Sequence, residues 1–302
     1  MRKTKSTSWI RYKRQSHKKN RLKKYLFGGL FFCLLICVGY FGIFWDGLWV
    51  RNIEISGGGG LNYECKNIAL EILNDRFYYI IPQKSILIVP VEKIKTEILK
   101  KFPKIGNARI YKKFPHTLKI ELQEREPVGI WCRLRVKKQD SNNTSKTAQD
   151  IKNEIPRSGS DNLKDNREIS DLYNDLSQCF YIDKKGVIFK IAPKMEGGLM
   201  ANIYERRKNN PSLGEKVIYE ENIDFILEAE DRLKSEDLIP IIFYLNYPDV
   251  KVFVKNGFYI YLTFSNSLDS QIYALDRALK GIKVVENLQY IDLRIEGRVY
   301  YK

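Results

Sequence analysis

Residues 108–128 run A-R-I-Y-K-K-F-P-H-T-L-K-I-E-L-Q-E-R-E-P-V, two alternating apolar runs on either side of a turn. Ala108 and Ile110 alternate with Arg109 and Tyr111, Phe114-Pro115-His116-Thr117 reverses the chain, and Leu118, Ile120 and Leu122 alternate with Lys119, Glu121 and Gln123. A period of two broken by a turn predicts a hairpin with one apolar face, and that face needs a cover. Two stretches upstream supply it. Asn62 to Leu73 repeats Cys65, Ile68, Ala69 and Ile72 along one side of a helix, with Asn62 placed to cap it. From about Pro90 to Phe102, Val91, Ile94, Ile98 and Leu99 line a second helix, and Pro90 suits its first position. Ahead of both, Val50 to Ser56 places Ile53 and Ile55 on one face of a strand that Gly57–Gly60 ends. Strand, helix, helix, strand, strand predicts a three-stranded sheet with one face buried under two helices.

Before this unit stands Tyr25 to Trp45, YLFGGLFFCLLICVGYFGIFW, without a charge. As a helix it reaches roughly 30 Å, the thickness of a bilayer's hydrocarbon core. Eleven Lys and Arg fill the first 24 residues, and the first acidic residue is Asp46. Such an excess marks the side that stays in the cytoplasm, so residues 46–302 are expected outside, with Tyr25, Trp45 and Trp49 as interfacial anchors. A cleaved signal peptide has a shorter apolar region ending in small residues of the A-x-A type, whereas this run exits through Phe44-Trp45-Asp46-Gly47-Leu48-Trp49. The layout predicted is a basic cytoplasmic tail at 1–24, a transmembrane helix at 25–45, a first outside domain at 46–126 and a second at 127–302. The formal charge of +16 then reports topology and attraction to anionic lipid rather than a nucleic-acid-binding face.

Downstream, residues 134–178 are dominated by Lys, Asp, Asn, Ser and Thr with no sustained apolar period. They read as a disordered or weakly helical insertion, with a short helical turn at Leu172, Tyr173 and Leu176. The insertion interrupts two strands, Val128 to Arg133 and Cys179 to Lys190, that would otherwise pair directly. Cys132 and Cys179 fall at its base on adjacent strands, either as a disulfide pinning the hairpin or as two small buried residues; Cys65 is free in both cases. Cys33 and Cys37 sit in the apolar run, where small apolar residues suffice.

The remainder is rich in strands. Phe180 to Phe189 is strand, turn, strand, with Gly186 supplying the turn. Ile223 to Leu233 is helical, and Pro240 to Tyr247, Val250 to Lys255 and Phe258 to Phe264 are strands joined at Tyr247-Pro248-Asp249 and Asn256-Gly257. Ser267 to Ile282 is an amphipathic helix capped by Ser267. Gln289 to Lys302 alternates throughout, with Ile291, Leu293, Ile295, Val299 and Tyr301 on one face and Asp292, Arg294, Glu296, Arg298 and Tyr300 on the other. The expectation is one long strand at a sheet edge, and an open edge binds by strand addition.

Catalytic patterns are missing from the sequence. There is no G-x-S-x-G, H-E-x-x-H or P-loop, and the only histidines are His17 and His116, so no Cys/His metal site, catalytic pair or cofactor is expected. Asp183, Asp292 and Glu296 read as solvent-side or turn residues rather than an acid/base pair.

Taken together, Ile53-x-Ile55-x-Gly57, two helices, Ala108-Arg109-Ile110, Pro115-His116-Thr117-Leu118-Lys119-Ile120 and Glu124-Arg125-Glu126-Pro127 resemble the POTRA domain of the FtsQ/DivIB cell-division family. The D-x-x-G-x-x-F hairpin at Asp183, Gly186 and Phe189, and Tyr290-Ile291-Asp292-Leu293-Arg294, are similar to the second domain of that family. The resemblance implies an α+β protein: a single N-terminal transmembrane helix, a β-α-α-β-β POTRA domain, then a mostly antiparallel β domain closing on a helix and a strand. It implies a non-enzymatic scaffold at the division septum that links early and late division proteins and helps control septal peptidoglycan synthesis. Its partners would be FtsB/DivIC-like and FtsL-like coiled-coil proteins, docked by β-augmentation on Ile291, Asp292, Leu293, Arg294, Ile295, Glu296, Arg298, Val299 and Tyr300. Arg294 would meet an acidic residue of the partner, and Ile295 stands where the family usually has an aromatic. Two other classes fit parts of the chain. A POTRA protein of polypeptide transport would need a membrane barrel, and a membrane-anchored wall hydrolase would need a catalytic constellation.

Overall fold

The computed structural model describes residues 8–77, 81–135, 162–194, 200–282 and 288–302. Expectations for residues 1–7, 78–80 and most of the insertion, 136–161, lie outside it. The chain forms two compact units: Met1–Lys101 with Ile105–Glu124, and Phe102–Lys104 with Arg125–Lys302.

The first unit opens with helix α1, Ser8–Phe44. It starts well before the apolar run because Lys and Arg are good helix formers and an established helix extends at little cost. Its stretch Tyr25–Gly42 has a mean hydropathy of 2.0, is unburied by the rest of the chain, and is long enough to cross a bilayer. Then come β1 (Asn52–Gly57), α2 (Asn62–Asn74), β2 (Arg76–Phe77), β3 (Ile81–Pro82), α3 (Val91–Lys101), β4 (Ile105–Lys113) and β5 (Thr117–Glu124). The sheet order is β1-β5-β4, with β1 parallel and β4 antiparallel to β5. Ile68, Ile72, Ile94 and Ile98 from the helices and Ala108, Leu118 and Ile120 from the hairpin are buried, as the periods of 3.6 and 2 require. Asn62 is not the cap expected of it. Leu61 holds the cap position without a side-chain bond, and Asn62 is the first helical residue. A small antiparallel ribbon, β2–β3, lies between α2 and α3, and two-residue strands carry no period by which a sequence could announce them.

The second unit holds β6 (Gly129–Leu134), α4 (Asn162–Asp175), β7 (Leu176–Ile182), β8 (Ile188–Ala192), β9 (Ala201–Arg206), α5 (Glu220–Ser235), β10 (Pro240–Asn246), β11 (Asp249–Val254), β12 (Tyr259–Thr263), α6 (Leu268–Gly281), β13 (Tyr290–Asp292) and β14 (Tyr300–Tyr301). Its strands form one mixed sheet ordered β14-β13-β12-β11-β10-β9-β6-β7-β8. The pairs β9/β10 and β12/β13 are parallel because α5 and α6 carry the chain back across one face before each next strand begins. Ile223, Ile226, Ile272 and Leu275 of these helices pack with Trp131, Ile203, Phe243, Val252 and Ile260 in the main core.

The opposite face has a second core, and here the insertion reading needs correction. Residues 162–175 are a regular helix rather than a short turn, and β7 begins at Leu176. Leu172 and Leu176 are buried with Ile130, Tyr204, Ile242 and Phe253, and Ile169 and Tyr173 pack against them. Ile169, Leu172 and Tyr173 are spaced i, i+3, i+4 on the helix, with Leu176 following as the first residue of β7, but among so many polar residues they make a helix only when a sheet face receives them. Cys132 and Cys179 lie in this layer, paired across β6 and β7 and joined in a disulfide.

Candidate partner-binding edge

A sheet of this kind has two outer edges. At one, the first residue of β8 is covered: Ile188 N–H donates to Glu215 O, and Gly214 N–H donates to Ile188 O. The other carries the residues singled out for docking.

Tyr290 to Lys302 is not one strand. β13 covers Tyr290–Asp292, the chain turns through 295–298, and β14 returns antiparallel with Ile291 opposite Tyr301 and Asp292 opposite Tyr300. Arg298 N–H donates to Ile295 O, and Gly297 adopts φ +72°, a left-handed conformation that side chains resist. The sequence alternates straight through this glycine, and only Gly297 signals the break. The expected faces separate in consequence. Ile291 and Leu293 are buried, whereas Ile295 is 52% exposed and Tyr301 57%. Glu296 and Arg298 are exposed in the turn and Val299 is half-buried.

Arg294 sits at the centre of an ion-pair network. Its Nε and Nη2 donate to the two carboxylate oxygens of Asp292 at 2.9 and 2.6 Å, and Nη1 donates to Asp249 Oδ2 at 2.7 Å. Burial alone would raise the Asp292 carboxyl, but side-chain and backbone hydrogen bonds from Arg294 outweigh it and hold the group below the usual carboxylate range. The same bond to Asp292 raises Arg294 against the opposing effect of burial, with Asp249 adding to it. Asn266 Nδ2 donates to Arg294 O at 2.8 Å, and the Gln271 side chain brackets Thr263 N–H and O at 2.9 Å each. Arg294 thus links the end of β13 to β11, Asn266 ties the loop before α6 to the Arg294 backbone, and Gln271 ties α6 to the end of β12.

Beside it lies an aromatic strip that sequence reasoning missed. Tyr259, Tyr261 and Tyr290 are in mutual contact, with centroids 5.3–6.1 Å apart. Lys251 Nζ is 3.7 Å from the centroid of Tyr259, and the Arg294 guanidinium is 4.6 Å from that of Tyr261. The signal was present in Tyr259 and Tyr261 alternating with buried Ile260 and Leu262. Asp249, read as a turn residue, is 45 positions from Arg294 and had no sequence signal.

Asp183 caps its own turn. It accepts from the backbone of Lys185 and Val187 and pairs with Arg125, whose Nε also donates to Pro103 O. Among the described residues, no group of three or more His, Cys, Asp or Glu could hold a metal.

Beside the β13–β14 pair the arrangement sets a charged arginine and packed tyrosine rings, side-chain chemistry suited to peptide recognition. A search of the curated proteins finds no match to the chain. The family model described as POTRA domain, FtsQ-type, matches residues 79–125, which take in α3 and the β4–β5 hairpin. The chain therefore carries an FtsQ-type POTRA domain, consistent with the FtsQ/DivIB family.

Proposed function

We propose that this chain is a non-enzymatic, single-pass membrane scaffold of the bacterial division machinery, at work at the septum. The observation that carries the reading is the FtsQ-type POTRA match, a domain of a generally non-enzymatic family. Three features support it. The apolar segment Tyr25–Gly42 is preceded by a basic tail and followed by Trp45 and Trp49, flanks that fit a retained anchor with its N-terminus in the cytoplasm. The division into a POTRA domain at 46–126 and a β domain at 127–302 gives such an anchor two outside modules. Beyond them, the β13 edge offers a place where an FtsB/DivIC-like strand, from a protein coiled with an FtsL-like one, docks by β-augmentation. Arg294 positions that edge through Asp292 and Asp249, and its side chain is 37% exposed, open to a partner carboxylate.

The test is co-purification from membranes of the full chain beside a chain ending at Leu288, with bound proteins identified by mass spectrometry. Retention of short single-pass coiled-coil proteins by the full chain, and their loss from the shortened but folded one, is the expected result. Equal retention would move docking away from β13, with the POTRA domain as the next place to look. Retention of no division protein by either would overturn the scaffold reading.

A further inference from the structure

The edge assigned to docking already has an occupant. β13 is bonded to β12 on one side, through Tyr259 N–H to Gln289 O and Leu293 N–H to Tyr261 O. On its other side lies β14. Lys302 N–H donates to Tyr290 O at 3.2 Å, and Lys302 O accepts from Gln289 N–H at 2.6 Å and from Tyr290 N–H at 3.4 Å. The groups that an added strand would bind are thus held by this chain's own residues.

The two strands are anchored very differently. β13 and the residue after it bury Ile291 and Leu293 in the main core, while Tyr300 and Tyr301 of β14 stand 46% and 57% exposed. Val299 alone gives the returning arm a foothold in that core. The arm can therefore leave without opening the core, and its departure frees the outer N–H and C=O groups of residues 289–292. The hinge is local: a Cβ at Gly297 would meet open space, so a substitution there acts on the turn through its positive φ and not through a clash.

We propose that residues 297–302 are an intrachain lid on the docking edge, displaced by the partner strand that takes their place antiparallel to β13. This rests on the docking reading above and adds its regulation: affinity is set by competition between partner and lid, and whatever loosens the lid strengthens binding. A strand held by so few main-chain bonds is weak enough to be exchanged and ordered enough to blunt an otherwise open edge.

The full-length protein in membranes tests this with two opposed variants. Gly297→Ala strains the turn and loosens the lid. Tyr290→Cys with Lys302→Cys places two thiols on residues that exchange main-chain hydrogen bonds across β13 and the returning arm, so oxidation locks the lid, and neither single-cysteine variant can form that lock. Capture of short single-pass coiled-coil proteins should rise severalfold for Gly297→Ala, and should fall at least tenfold for the oxidised pair relative to either single-cysteine variant. Equal capture by all forms overturns the lid and leaves the scaffold reading standing. Capture by none overturns the docking reading, and the lid falls with it. Hydrogen exchange of the complex gives a second, independent outcome. Displacement predicts that amides 298–302 lose protection while 289–292 keep theirs; protection gained by 300–302 would mean that the partner strand adds outside β14, which also overturns the lid.

Discussion

Arg294 illustrates how one side chain ties together distant parts of the sheet. Its planar fork satisfies both oxygens of Asp292 and reaches Asp249 at once, which a lysine ammonium cannot do. Arg294→Ala is expected to cost about 1–2 kcal/mol in urea unfolding, discounted for partial exposure, and Arg294→Lys to recover only part of it. Because the folded pKa of Asp292 is depressed, its contribution is present above the ordinary value of 3.8 and is lost as pH falls through the lower folded value. Stability curves of the native chain and Asp292→Asn should therefore converge in acid. Cys65 behaves in the opposite sense. Burial, with a smaller contribution from Glu64, pushes its thiol up to about 11 from 9.0. A raised thiol pKa means the folded state holds its proton longer, so stability declines as pH rises between about 9 and 11. Cys65→Ala should lack that part of the decline, and the native thiol should resist alkylation near neutral pH.

At the scale of elements, the two hairpin turns make a controlled comparison. Gly186 and Gly297 both have positive φ, but a Cβ at Gly186 would lie 1.9 Å from Ile218 O, whereas at Gly297 it meets nothing. Gly186→Ala should be severely destabilising in a thermal melt and Gly297→Ala should cost about 1 kcal/mol. Helix α4 depends on the face it covers. Leu172→Ala is expected to cost about 2 kcal/mol or more and to raise hydrogen exchange through 162–175 before the rest of the sheet.

For the whole molecule, the Cys132–Cys179 disulfide closes a loop with a sequence separation of 47. On the loop-entropy account such a closure contributes about 4 kcal/mol. Alkylation of the denatured, unreduced chain should label Cys33, Cys37 and Cys65 only, and reduction should lower the melting temperature of the second unit. The retained-anchor reading predicts that the protein resists carbonate extraction from membranes and keeps its full-length mass. A mass reduced by loss of the N-terminal segment would instead mark a signal sequence.

Local periodicity belongs to each segment by itself, which is why the hairpin over 108–123, helices α2, α3, α5 and α6, and the apolar span can be read without a structure. The order of these segments, with 79–125 at its centre, also points to the POTRA class. Contacts between distant segments are another matter. Whether residues 162–175 form a helix depended on an apolar sheet face assembled from β6, β9, β10 and β11. Whether 289–302 ran straight or folded back depended on the balance between one glycine's backbone freedom and the strand preference of its neighbours. The ion pair across 45 residues and the lid on β13 share this origin: hydrogen-bond and packing partners are chosen in three dimensions, and tertiary structure alone decides which of several locally permitted conformations is paid for by burial.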